Sequence, residues 1–147
     1  FLMLDLDIKK LIRKHTSRPI QVRPHPRNPI SFNFKKYKNV SITSPVMDSN
    51  TIDDTNFKDT LEDAWAVINH SSNPAIEAVI NGIPVFVSED SLCHDVGNHS
   101  LANINDPKMP DRQEWANKLS YTEWFEDEIE KGLPWQRIKN RITTNYL

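Results

Sequence analysis

The stretch "WAVINHSSNPAIEAVINGIPVFV" at residues 65–87 decides how the chain is read. An apolar run leads into a polar tip of Asn, His and two Ser. A segment opening on Pro and closing on Gly follows, and then a second apolar run. Pro suits the first turn of a helix, where its missing amide costs nothing, and Gly just past the last turn accepts the left-handed backbone that ends one. The spacing predicts a helix over 73–82 between strands at 65–70 and 83–88. Apolar runs without alternation belong to strands covered on both faces, as in parallel sheets.

Working outward, "DLDIKKLIRKHTS" (5–17) carries Leu6, Ile8, Leu11 and Ile12 with cations toward its end, the pattern of an amphipathic helix. "RPIQVRPHPRNP" (18–29) predicts a short strand over 19–23 that stops in a Pro-punctuated loop. "NVSIT" (39–43) is a second short strand, and "FKDTLEDA" (57–64) a short helix after a capping loop. Residues 89–110 are irregular. Residues 111–120 and 122–132 read as helices capped by Asp111 and Thr122, and 134–147 as a helical or extended tail; Trp115, Trp124 and Trp135 serve as core anchors for these C-terminal helices.

Helices therefore alternate with short buried strands. The expectation is an α/β fold: a Rossmann-like parallel sheet with helices on both faces over 1–110, and a helical C-terminal tail over 111–147 that packs on it. In such sheets ligands gather beyond the carboxyl ends of the strands. The tips here are "RPHPR" (23–27), "NHSSN" (69–73) and "SEDS" (88–91).

Charge is nearly balanced, 18 Lys+Arg against 20 Asp+Glu, so no nucleic-acid partner is expected, although a local basic pocket is allowed. The single cysteine, Cys93, excludes an internal disulfide and points to the cytoplasm. No apolar stretch approaches the roughly 20 residues of a membrane span. The opening "FLMLDLDIKK" is too short and acidic for a signal peptide. Beginning on Phe, the chain is expected to be a fragment or a processed form. With 3 Gly against 10 Pro it has no Gly-rich phosphate loop.

Three groups of residues carry possible chemistry. Arg23, His25 and Arg27 combine planar guanidinium forks for phosphate or carboxylate with an imidazole that titrates near neutrality; the plainer account pairs them with surface carboxylates. His70, Ser71, Ser72 and Asn73 set hydroxyls beside a helix start, which attracts anions, or simply cap that helix. Glu77, one turn in, suits two ribose hydroxyls or merely the helix dipole. His94, Asp95 and His99 lack a clear fourth ligand, so a solvated loop accounts for them better than a metal.

"VRPHP" followed by "HSSNPAIEAVINGIPVFV" resembles the C-terminal, donor-binding half of two-Rossmann-domain (GT-B) glycosyltransferases. It is also similar to capsule and teichoic-acid polymer transferases and to nucleotide-sugar epimerases of that architecture. The resemblance covers roughly residues 19–88. It implies that Ser71 and Ser72, with helix amides, hold the diphosphate of a nucleotide-sugar donor. Glu77 would take the ribose, and Arg23, His25 and Arg27 would neutralise the departing nucleoside diphosphate. It demands no metal and no cofactor beyond that donor. It further implies an N-terminal acceptor domain outside this chain, so the isolated chain is expected to bind rather than turn over. A nucleotide-sugar epimerase-like domain, or a non-catalytic interaction module on the same fold, are the alternatives.

Overall fold

The computed structural model describes residues 10–24, 38–43, 57 and 59–145, with side chains to Lys139. Four short strands lie among them: β1 (Ile20–Val22), β2 (Val40–Ile42), β3 (Val67–Ile68) and β4 (Val85–Phe86). The helices are α1 (Pro74–Ile80), α2 (Gln113–Ser120), α3 (Glu126–Glu130) and α4 (Leu133–Asn145), and residues 10–13 form a helical turn. β1 pairs parallel to β2, Ile20 opposite Val40, and β3 pairs parallel to β4, Val67 opposite Val85. The architecture is thus mixed α/β with small parallel sheets. The single continuous sheet expected from the sequence is not formed among the described residues, where the strands make two separate ribbons.

The decisive stretch folds as its spacing predicts. Pro74 opens α1, and at its far end Gly82 takes φ 81°, where its amide reaches Val79 O at 3.1 Å and that of Ile83 reaches Ala78 O at 2.9 Å. A side chain is strained in that left-handed backbone, which is why Gly ends the helix. α1 buries Ala75, Ala78 and Val79, and β4 is covered on both faces, with Val85 and Phe86 1% and 3% exposed. Phe86, Ile12 and Ile104 form a buried cluster against which Ile20, Ala66 and Leu101 pack. Each such large apolar side chain withdrawn from water contributes about 1.5–3 kcal/mol.

β3 departs from expectation. It was predicted to be buried on both faces, yet Ile68 and the preceding Trp65 are 37% and 43% exposed, because only one edge of β3 is paired. Residues 59–63 form turns rather than the predicted helix: Thr60 N bonds to Phe57 O and Ala64 N to Leu61 O, both i to i−3. The described part of the first predicted helix is a helical turn closed by Arg13. Its guanidinium donates to Arg18 O (2.6 Å) and Asn39 O (2.7 Å), tying that turn to the starts of β1 and β2.

The far edge of β4 is covered by a single residue. Asn98 N donates to Val85 O at 2.8 Å and Val87 N to Asn98 O at 3.1 Å, extending the parallel ladder. Gly97 lets that segment approach: a Cβ there would sit 2.6 Å from Val87 Cγ2 and 2.9 Å from Cys93 O.

The chain divides into two compact units, the first ending at Met109 and the second starting at Pro110. In the second, the N-cap of α2 is Arg112 rather than the predicted Asp111, one residue earlier, whose carboxylate still accepts from Gln113 N, the first amide of the helix, at 2.9 Å. Thr122 does not cap the next helix. Its hydroxyl donates to Leu119 O, while Phe125 N, donating to Glu128 Oε2 at 2.8 Å, starts α3 instead. Trp115 is buried and Trp124 half-buried, but Trp135, expected to be a core anchor, is 63% exposed. Arg137 lies over the rings of Tyr121 (4.4 Å) and Trp124 (5.5 Å), a cation–π arrangement that ties α4 to the α2–α3 connection.

Candidate functional site

Parallel pairing points the carboxyl ends of β3 and β4 the same way. Their tips are clamped together: Ser88 donates to His70 O through both its amide (3.1 Å) and its hydroxyl (3.0 Å). The Asn69 side chain accepts from Ser72 N at 2.7 Å, and the imidazole Nδ1 of His70 lies 3.2 Å from Ser71 Oγ. The "NHSS" tip is therefore a fixed turn in which His70, Ser71, Ser72 and Asn73 are exposed.

The start of α1 is less open than a bare helix end. Ala75 N already donates to Ser72 O (3.1 Å) and Ile76 N to Asn73 O (2.8 Å), and Pro74 has no amide. Ser71, Ser72 and Asn73 carry the exposed polar side chains at this turn. Glu77, half-buried, is the fourth residue of α1.

The tip of β3 opens into a cavity of about 990 Å³ between the two ribbons. Its wall includes the residues of both β1 and β3. Its polar lining at the carboxyl ends of the strands is Arg23, Thr43, Asn69, His70 and Ser88, joined by Asn98 and His99. The lining also includes Pro74, so residues 71–73 run between two lining positions, although Ser71, Ser72, Asn73 and Glu77 themselves are not part of the wall. Arg23 is half-buried, its guanidinium 5.4 Å from the Phe57 ring. His25 and Arg27 lie outside the described residues.

Also in the cavity wall, the Arg18 guanidinium stacks 3.8 Å over the Trp65 ring, and Trp65 Nε1 donates to Ile104 O at 2.7 Å. Sequence reasoning passed over this pair, and also over Asn98 and Arg13, because nothing local marks them: each has a partner 10 to 47 positions away.

His94 and His99 stack face to face, centroids 4.0 Å apart and planes 9° from parallel, and His94 O lies 2.9 Å from His99 Nε2. His94 Nδ1 is buried without a hydrogen-bond partner among the described residues. Among those residues no group of three or more His, Cys, Asp or Glu is gathered as for a metal ion. Cys93 is fully buried, and burial pushes its thiol pKa up against a smaller opposing effect of the Ser91 hydrogen bond. No helix among the described residues is long and apolar enough to cross a membrane.

No protein family, curated protein or solved structure matches the chain. The geometry of the cavity is what bears on function.

Proposed function

We propose that the chain binds a nucleoside-diphosphate sugar at the strand tips, as the donor-binding half of a GT-B-type glycosyltransferase. The observation that supports this reading is convergence. Arg23 from the end of β1, Asn69 and His70 from the end of β3, and Ser88 just after β4 line one cavity of about 990 Å³. That is a size suited to a small-molecule ligand, and polar groups at the carboxyl ends of parallel strands are where such ligands bind.

The chemistry follows from those groups. Glycosyl transfer breaks the bond between the anomeric carbon and the diphosphate oxygen, and negative charge collects on the departing nucleoside diphosphate. The Arg23 guanidinium meets two phosphate oxygens at once, and the hydroxyls of Ser71 and Ser72 with the His70 imidazole add donors nearby. Preorganised donors aimed at developing charge lower the barrier to departure. Glu77 accepts from the ribose hydroxyls. His25 and Arg27 extend the basic loop that follows Arg23. The acceptor and its activating base belong to a second domain.

A thermal-shift panel of UDP, GDP, CDP and ADP with their sugars tests the reading. A ligand held only by the native state raises the melting temperature, by about 2.7 kcal/mol of stability at one hundred times its dissociation constant. Stabilisation by one nucleotide series, lost in Arg23→Ala, is the expected result. Flat responses across the panel favour the interaction module.

A further inference from the structure

We infer that Arg18, held on Trp65, is a second oxyanion subsite of the cavity, one that takes a carboxylate or phosphate of the ligand other than its diphosphate. The chain as a whole carries a net charge of -2, yet the cavity does not share that balance. Its described lining residues bring two guanidiniums, of Arg18 and Arg23, against one carboxylate, of Asp63. Positive charge gathered in a concave wall attracts anions more strongly than the same charge spread over a surface. The two guanidiniums lie against different rings, that of Arg18 3.8 Å over Trp65 and that of Arg23 5.4 Å from Phe57. The wall therefore presents two cationic points, of which the proposed diphosphate site uses only Arg23.

Arg18 is built as a fixed fork. Its amide donates to the hydroxyl oxygen of the buried Thr16 at 3.2 Å, and its carbonyl accepts from Arg13 Nη1 at 2.6 Å. Pro19 follows and locks the next φ. The ring beneath the guanidinium is fixed as well, because Trp65 Nε1 is spent on Ile104 O at 2.7 Å. Contact with a ring face engages none of the N–H donors of a guanidinium, and those of Arg18 meet no acceptor among the described residues. Arg18 and Trp65 are both exposed, so a ligand in the cavity reaches them. Donors held in a planar fork match the two oxygens of a carboxylate or phosphate, which an ammonium in the same place would meet only as a point charge.

The nature of the ligand rests on the donor-site reading. There the diphosphate occupies Arg23, and the second oxyanion belongs to the transferred unit. The donor is then an acidic one, a nucleotide sugar that bears a carboxylate or a further phosphate. The subsite itself stands on Arg18 and Trp65 without that reading.

NMR of the whole chain titrated with inorganic phosphate tests the subsite, followed at Arg18 Nε and Trp65 Nε1. Both resonances are expected to shift and saturate in wild type. Affinity is expected to be about tenfold weaker in Arg18→Lys, which keeps the charge and loses the fork. Trp65→Leu removes the ring, and phosphate followed at Arg18 Nε is expected to weaken there too. Resonances that do not move in wild type, or wild-type affinity in either variant, overturn the subsite, whatever Arg23 and His70 do. Calorimetry of UDP-glucuronate against UDP-glucose, and of GDP-mannuronate against GDP-mannose, separates the two sources of oxyanion. The acidic member of one pair is expected to bind about tenfold tighter, a preference lost in Arg18→Lys. A phosphate response at Arg18 with equal binding of the two members assigns the subsite to a phosphate-bearing donor. The same response with none of UDP, GDP, CDP and ADP bound leaves the subsite standing and removes the donor-site reading.

Discussion

Asn98 holds the irregular segment after β4 in place, and its replacement yields a measurable loss. Its side chain is 5% exposed and makes three hydrogen bonds: Nδ2 to Val85 O (3.2 Å) and Lys108 O (3.0 Å), and Oδ1 from Lys108 N (2.9 Å). At about 1 kcal/mol per bond, Asn98→Ala forfeits up to about 3 kcal/mol. Two features lower that figure. Val85 O keeps the Asn98 amide at 2.8 Å, and Lys108 is exposed, so water takes over its freed groups. The expected loss is about 2 kcal/mol, which shifts a urea midpoint down by about 1 M at an ordinary slope for a chain of this size. Asn98→Asp adds a sign. A carboxylate oxygen replaces Nδ2 against two carbonyl oxygens, so the charged form is opposed and the folded pKa of the new carboxyl rises above its unfolded value near about 3.9. Its stabilising contribution is then present below that value and lost as pH rises through the raised folded pKa. Urea unfolding at pH 4 and pH 7 checks this: Asn98→Asp is expected to fall further below wild type at pH 7 than at pH 4. An Asn98→Ala midpoint within about 0.2 M of wild type would refute the reasoning, as would an Asn98→Asp deficit independent of pH.

Other predictions follow from single contacts. Gly97→Ala forces a methyl against Val87 Cγ2 and Cys93 O, and is expected to cost about 1–3 kcal/mol by overpacking, read in the same urea assay. Cys93, with its raised pKa, is expected to react with a disulfide reagent at pH 8 only as the fold opens, at a rate that climbs with urea; complete labelling during mixing contradicts its burial. A thiol whose folded pKa is raised supports the native state below the ordinary thiol pKa, and that support is lost as pH rises through the folded value. The stability difference between wild type and Cys93→Ala is therefore expected to shift against wild type between pH 7 and pH 10. Arg18→Ala removes the cation–π contact with Trp65, and is expected to cost about 0.5–1 kcal/mol and to alter Trp65 fluorescence.

What the sequence made legible was local. Pro74 and Gly82 mark the ends of α1 within two residues because first-turn and left-handed positions select those residue types on backbone grounds alone. The buried run at Val85 and Phe86 announced a covered strand, and Asp111 announced its helix. The misreadings have a common cause. Burial of β3 depends on which edge is paired, the turns at 59–63 depend on what packs over them, and exposure of Trp135 depends on its tertiary surroundings; periodicity carries none of these. Within the candidate site, the tips of β1, β3 and β4 were foreseen from strand ends, and His70 and Arg23 do line one cavity. The Arg18–Trp65 stack and the Asn98 strap were not foreseeable. They are side-chain contacts between segments far apart in sequence, made by residue types common on any surface.

The central claim is that the strand tips hold a nucleoside diphosphate. Isothermal titration of wild type and Arg23→Ala with UDP, GDP, CDP and ADP tests it most directly. One nucleotide is expected to bind wild type, with affinity at least about tenfold weaker in Arg23→Ala, the loss expected for one charge-assisted bidentate contact. Binding of equal strength in the two proteins, or of none of the four nucleotides to wild type, would contradict it.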